Sequence, residues 1–322
     1  MKVLVTGGTG YIGSVVTRLL LEAGNEVAVL DNLSSSSRTS LPKGVRFIQG
    51  WVSDLSELVK KNEFEAVVHL AGSISAGESM VNPRKYWQNN FHETEAMLLA
   101  LHELEINKLI FASTAAVYGN PVNIPILEND PKNPTNTYGM TKLAMDMMIT
   151  SFTHQTDLAA TSLRFFNVAG AYKQAGEMHP DESHLIPLAL SAAKGEYPIS
   201  LFGTDYPTKD GTCVRDYIHV ADLGDAIILA LEKLVPGKHS IYNLGNGNGF
   251  SNLEVLNTVE KVVGKKLQVK EEGRRDGDPA ILVASSEKAK KELGWKPHRT
   301  NLEDIIFSAS SFQDFGTSII NP

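Results

Sequence analysis

A phenol and an ammonium stand four residues apart in Thr137-Tyr138-Gly139-Met140-Thr141-Lys142. On a helix those two side chains share a face and can act at one point. Tyr138 is the only one of nine tyrosines with a lysine at that spacing. A neighbouring positive charge favours phenolate, and lowering a phenol from about 10 to about 7 corresponds to roughly 4 kcal/mol. A tyrosine tuned in this way is a general base at neutral pH. A hydroxyl able to hold the substrate oxygen stands at Thr114, in Ser113-Thr114-Ala115-Ala116-Val117-Tyr118-Gly119. Alone, the pair fits a helix-start tyrosine and a solvated lysine equally well, so its reading depends on what surrounds it.

The strongest neighbour is Gly7-Gly8-Thr9-Gly10-Tyr11-Ile12-Gly13. Glycines at this spacing let a chain turn sharply and let a pyrophosphate approach backbone N–H groups at the positive end of a helix. Asp31 ends the next apolar run, 18 residues past Gly13. A carboxylate there accepts from ribose hydroxyls and repels a 2′-phosphate, which favours NAD over NADP.

The elements that must hold these residues follow from the hydrophobic pattern. Short apolar runs at 2–6, 26–30, 45–48, 66–70, 108–112 and 160–165 read as buried strands, and 12–23 and 94–105 carry helical spacing. This alternation predicts an α/β fold, a Rossmann-type doubly wound parallel sheet. Thr114 then lies at a strand's C-terminal end, where such sheets bind ligands. A long insert, 71–107, separates the fourth and fifth strands. Beyond 170 the pattern loosens: 171–183 is loop-like, a helix is expected at 184–194, a strand near 198–202, a loop at 203–213 and a helix near 221–233. The expected division is a nucleotide-binding domain over 1–170 and a smaller α+β substrate-binding lobe over 171–322, with segments near 212–248 returning to the first.

Composition excludes several classes. The 322 residues are 42% hydrophobic and 21% charged, enough for a substantial core. A net charge of −7 without a basic cluster gives no footprint for nucleic acid. The single cysteine, Cys213, forms no internal disulfide and no multi-thiolate site. Nine histidines without HExxH-type spacing give no expectation of a metal. No apolar run reaches the ~18 residues that span a bilayer, and MKVLVTGG enters a strand at once, so no signal peptide and a cytoplasmic location are expected.

TGGTGYIG, DNLS (31–34), HLAG (69–72), the Thr–Tyr–Lys trio and RFFNVAGA (164–171) resemble the extended short-chain dehydrogenase/reductases. HLIP (184–187), FGTDYPTKDGTCVRDYIHVADL (202–223), YNLGNGNGFS (242–251) and LGWKP (293–297) narrow the resemblance to the UDP-glucose 4-epimerases, over residues 1 to about 307. The resemblance implies NAD-dependent inversion at C4 of a UDP-hexose. Tyr138 would remove the 4-hydroxyl proton as hydride leaves C4 for the nicotinamide. Thr114 would assist, and Lys142 would bind the nicotinamide ribose. The 4-keto sugar would turn over and take the hydride back on its other face.

It further implies a cofactor cleft lined by Gly7, Gly10, Tyr11, Ile12, Gly13, Asp31, Asn32, Trp51, Val52, Leu70, Ala71, Gly72, Asn89, Ser113, Phe165, Tyr138 and Lys142. The UDP-sugar would meet Asn167, His184, Leu185, Leu201, Phe202, Arg215, Tyr217, Arg275, Asp278 and Leu282. Guanidinium groups at Arg215 and Arg275 suit a pyrophosphate. Leu282 matches a position whose size gates N-acetyl groups in the family, and leucine there implies non-acetylated hexoses. A homodimer through helices near 87–105 and 138–154 is also implied.

The chain departs from the family pattern at Trp51, usually an aspartate that meets the adenine amine, and at Ile74, Glu93, Ser285 and the tail 308–322. Two rivals stand beside the epimerase reading. One is another enzyme of this fold, a uronate epimerase or 4,6-dehydratase, though Ala115-Ala116 replace the Asp-Glu pair that dehydration uses. The other is a silent NAD-binding scaffold, which the presence of Tyr138 and Lys142 disfavours.

Overall fold

The computed structural model describes residues 1–179, 182–275 and 277–316. Its thirteen strands are β1 (Lys2–Thr6), β2 (Glu26–Asp31), β3 (Arg46–Gln49), β4 (Ala66–His69), β5 (Lys108–Thr114), β6 (Ala159–Phe165), β7 (Asn167–Ala169), β8 (Ile199–Phe202), β9 (Val214–His219), β10 (His239–Leu244), β11 (Gly249–Ser251), β12 (Val269–Glu272) and β13 (Ile281–Leu282). The helices are α1 (Tyr11–Glu22), α2 (Leu55–Leu58), α3 (Ala76–Val81), α4 (Pro83–Tyr86), α5 (Glu93–Glu103), α6 (Thr137–Gln155), α7 (Leu185–Ala193), α8 (Val220–Glu232), α9 (Asn252–Val263), α10 (Glu287–Leu293) and α11 (Leu302–Gly316).

Seven strands form one sheet in the order β10-β6-β5-β4-β1-β2-β3, every pair parallel. The strands are apolar on both faces because helices cover both. Val3 and Val5 join a core with α1, α8 and Trp295, while Leu4 between them faces a second core with α5 and α6. Ile110 and Leu109 divide in the same way along β5, the period of two that a strand imposes. β1 lies between β2 and β4, so the order reverses there and a crevice opens at the C-terminal strand ends. The glycine loop, Gly72 and Thr114 all sit on that edge.

β9 is the centre of a smaller sheet with β7, β11 and β13, and β8 pairs in parallel with β12. α7, α9 and α11 enclose a third core around Ile186, Leu190, Val255 and Ile305. Three later segments return to the first sheet. β10 pairs with β6, α8 packs through Leu223 and Ile227, and α10 with Trp295 closes the same core. The last return is one the hydrophobic pattern did not reveal.

The insert 71–107 holds more helix than expected. α4 runs through a π-helical turn, Trp87–His92, into α5. The tail beyond 308 continues α11, and residues 317–322 lie outside the described residues. Among the described residues no helix is long and apolar enough to cross a membrane.

Candidate active site

Gly7 turns the chain with φ of +70°, and a Cβ there would lie 2.6 Å from the Ala71 backbone nitrogen. At Gly13 a Cβ would lie 2.1 Å from the Gly7 carbonyl oxygen. These two glycines are needed so that loop, helix and β4 can touch. Gly10 is different, because its Cβ would meet nothing closer than the Gly7 oxygen at 3.4 Å. Protein packing does not require glycine at that helix start. A diphosphate approaching the N–H groups at the head of α1 does, so the loop fits a dinucleotide.

Asp31 accepts from Thr9 N–H at 3.1 Å and from Leu33 N–H at 2.9 Å, which ties the end of β2 to the glycine loop. Asn32 accepts from Ser34 N–H at 3.0 Å. Tyr11 donates its hydroxyl to the Gly170 carbonyl at 2.5 Å, and Ile12 packs inward. Trp51 is half exposed at the head of a short turn, Val52–Asp54, in which Val52 is buried. Glu93, the departure from glycine, accepts from Ser53 N–H at 3.0 Å and so braces this turn from α5. Leu70, Ala71 and Gly72 leave β4, with Gly72 at φ +149°. The π-helical turn then directs two amides at the next residue. Asn89 donates to Ser73 Oγ at 3.1 Å, and Asn90 accepts from Ser73 N–H at 2.7 Å. Extra residues in helical turns are frequent at functional sites. Asn90 had no sequence signal.

Tyr138 stands in the first turn of α6, as expected. Asn136 caps that helix by accepting from Gly139 N–H at 2.8 Å. A Cβ at Gly139 would come within 2.5 Å of the Ala116 oxygen, so the glycine lets α6 lie against the turn after β5. Thr114 caps that turn through Ala116 N–H at 3.1 Å. The trio therefore converges, but its electrostatics differ from expectation. Burial raises the Tyr138 phenol pKa, and hydrogen bonding from Thr114, not Lys142, opposes the rise. Lys142 is buried, donates to the Ala112 carbonyl at 2.9 Å and lies 4.8 Å from the Phe111 ring centre. Burial pulls its ammonium down to about 8, with the Asp146 charge opposing. A Cβ on Gly72 would come 3.6 Å from Lys142 Nζ. The ammonium thus borders the β4 edge of the crevice, where a cofactor ribose would lie.

Beneath the trio is a buried network that the sequence did not disclose. Asp146, one turn after Lys142, pairs with Arg164 at 3.0 Å and accepts from Ser113 Oγ at 3.2 Å. Arg164 also donates to the Tyr118 hydroxyl at 2.8 Å, which donates to Asn243 at 2.7 Å. Ser113 was expected to bind the cofactor. Instead its hydroxyl, 2% exposed, joins α6 to β5 through Asp146.

On the substrate side, Arg215 pairs with Asp278 at 3.3 Å, and Arg275 lies over the Phe202 ring at 3.8 Å. Asn167 lies opposite Tyr217 in register between β7 and β9. Leu282 packs with Phe166, Tyr118 and Val117, the cluster carrying the turn after Thr114. Phe165 is buried at the end of β6. His184 heads α7, and Leu185 is its first residue. Leu201 corrects an expectation. It is 4% exposed in the third core, because alternation along β8 turns Ile199 and Leu201 inward while Phe202 stays half-buried. Tyr217 is buried in the same core, so its ring backs the site instead of lining it.

A glycine-looped parallel sheet with a Thr–Tyr–Lys cluster on its C-terminal edge defines a dinucleotide-dependent enzyme of the α/β class. Residues 3–245 match the NAD dependent epimerase/dehydratase family, and the chain belongs to it. It is 48% identical over 314 residues to the UDP-glucose 4-epimerase of Corynebacterium glutamicum, covering 97% of this chain and 95% of that protein. With the UDP-glucose 4-epimerase of Streptomyces lividans the identity is 49% over 306 residues, 94% and 93% of the two chains. Among solved structures, the UDP-glucose 4-epimerase of Bifidobacterium longum in complex with NAD+ and UDP superimposes with a TM-score of 0.93. That pair is 34% identical and covers 98% of this chain and 99% of the other.

Proposed function

We propose that this chain interconverts UDP-glucose and UDP-galactose at C4, with NAD as its resident cofactor. The observation that carries the reading is the convergence of Tyr138 and Thr114 at the end of β5, beside Lys142 and the bare helix start at Gly10. Gly7, Gly10 and Gly13 hold the diphosphate, Asp31 receives the adenosine ribose, and Val52 with Trp51 borders the adenine. NAD, when bound, supplies the acceptor and donor of hydride at C4 and is regenerated each cycle.

Tyr138 takes the proton of the 4-hydroxyl and later returns it, while Thr114 holds the same oxygen by a hydrogen bond. Lys142 contributes positive charge next to the crevice and reaches for the cofactor ribose. The buried phenol has a raised pKa, so the chain alone favours phenol over phenolate. Positive charge brought to the site by the bound cofactor shifts that balance towards the base. Arg215 and Arg275 grip the UDP diphosphate, Asp278 accepts from the uridine ribose, and Asn167 borders the sugar. Firm hold on UDP with a loose hold on the hexose is what lets a 4-keto sugar present both faces.

Ala115 and Ala116 follow Thr114, so no carboxylate stands there to remove or donate the protons of a dehydration. The protein acts as a homodimer in the cytoplasm on this reading. Trp87, Leu99, Met140 and Met147 are exposed on the segments expected to pair. The test is direct: purified protein mixed with UDP-galactose, without added NAD, yields UDP-glucose. No conversion with or without added NAD overturns the proposal.

A further inference from the structure

The segment between β7 and α7 reads Gly176-Glu177-Met178-His179, then Glu182-Ser183-His184 after two further residues. Glu177, His179 and Glu182 have no part in the chemistry above. One donor atom from each lies within 4.8 Å of the other two. Their side chains are only 11%, 24% and 15% exposed. Glu182 Oε1 is fully engaged: it accepts from the N–H groups of Ser183 and His184, both at 2.6 Å, and meets His184 Nδ1 at 2.6 Å. Its other oxygen, Oε2, is buried without a hydrogen-bond partner among the described residues. Among the described residues, neither Glu177 nor Glu182 pairs with a lysine or arginine.

Two carboxylates withdrawn from water in one place need a compensating positive charge. Two protonated histidines could supply it as separate pairs, Glu177–His179 and Glu182–His184. That arrangement sets two imidazolium groups side by side and still leaves Glu182 Oε2 unsatisfied. A divalent cation removes both difficulties at once, because carboxylates and neutral imidazoles are its ordinary donors.

We propose that Glu177, His179 and Glu182 bind a divalent cation of the zinc class, with His184 holding Glu182 in position. A tetrahedral zinc site sets its donors about 3.4 Å apart, and donor atoms that already lie within 4.8 Å of one another reach that spacing by small side-chain movements. A donor hydrogen-bonded to a ligating carboxylate, here the His184 imidazole on Glu182, is the usual support around such ions. The segment from Glu177 to His184 runs ExHxxExH, a pattern distinct from the HExxH-type spacing whose absence gave no expectation of a metal. Glu177 and His184 share a small cavity with Tyr11, Ala309 and Phe312. Tyr11 begins α1 and bonds the Gly170 carbonyl. The cation therefore orders the loop before α7 where it meets the start of α1 and α11, and its role is structural.

The test uses the full chain stripped with a chelator and returned to Zn2+ alone. Bound metal is measured after gel filtration, and the thermal midpoint is recorded with and without the ion. The expected result is one zinc per chain and a midpoint raised by about 3 °C or more. Glu182→Gln and His179→Gln should each lose that zinc, whereas His102→Gln, an exposed histidine elsewhere, should retain it. Glu177→Gln replaces either variant if its circular dichroism shows misfolding. Wild type that retains no zinc, or variants that retain as much as wild type, would mean ion pairs or adventitious metal only, and the proposal fails.

Discussion

Tyr138 depends for its role on a single oxygen atom. Thr114 is the one side chain whose hydrogen bond lowers the phenol's pKa against the effect of burial. The ring itself packs edge-on to Tyr86, with centroids 6.3 Å apart. Tyr138→Phe keeps that packing and removes the proton acceptor. Turnover should fall at least ~100-fold, the usual scale of general-base help, while the thermal midpoint stays near that of wild type. Near-normal turnover in this variant would mean that another group takes the proton. Leu282 poses the specificity question at the same scale. It packs against the turn that follows Thr114, so on the proposed reading its bulk would border the sugar. Turnover of UDP-N-acetylglucosamine should be well below that of UDP-glucose, and Leu282→Ala should narrow the gap. Equal rates in wild type would remove leucine from the gate.

The first turn of α6 determines whether the trio meets at all. Asn136 caps it, and Tyr138 is only two residues further on. Asn136→Ala should cost about 1 kcal/mol of stability and lower kcat several-fold, with the KM for UDP-sugar little changed. Asn136→Asp should restore both, since aspartate caps as well as asparagine does. An unchanged kcat in the alanine variant would show that packing alone orients Tyr138. Much of this element was legible beforehand. TYGMTK placed phenol and ammonium on one face, and β1, β2, β4, β5 and β6 were evident because each is a run of mostly buried residues, whereas β3 has no buried residue and showed itself only by its apolar pair Phe47 and Ile48. What escaped notice has physical reasons. β10 is half-exposed along its first three residues and resembles a loop. The Asp146–Arg164 pair joins positions 18 residues apart, on a helix and the following strand, and no local spacing announces it. The inward face of Leu201 was not legible because a motif names the strand but not which face each residue takes.

At the scale of the whole molecule, α6 buries Lys142 and Met145 yet leaves Met140 and Met147 exposed, seven residues apart on one outer face. Leu99 of α5 is likewise 52% exposed. If that surface joins two copies, Met147→Asp should convert a dimer to a monomer in sedimentation, and a wild type that is monomeric at micromolar concentration removes the interface. The pH response also belongs to the whole fold. Burial lowers His69 to about 3, and His219 and His239 to about 4. Each is therefore neutral in the folded chain where the unfolded chain binds a proton, so its stabilising contribution is complete above about 6.5 and is lost as pH falls towards 4. Asp216 acts in the opposite sense. Burial raises it to about 6, against three backbone N–H donors, so the folded chain holds its proton below that pH. Three histidines against one aspartate leave roughly two more protons on the unfolded chain. Unfolding free energy should then fall by about 2–3 kcal/mol per pH unit between roughly 6 and 4.5. Denaturant titrations at three pH values measure that slope, and His239→Gln should reduce it by about one proton's worth. A flat profile across this range would mean that these imidazoles do not stay neutral in the folded chain.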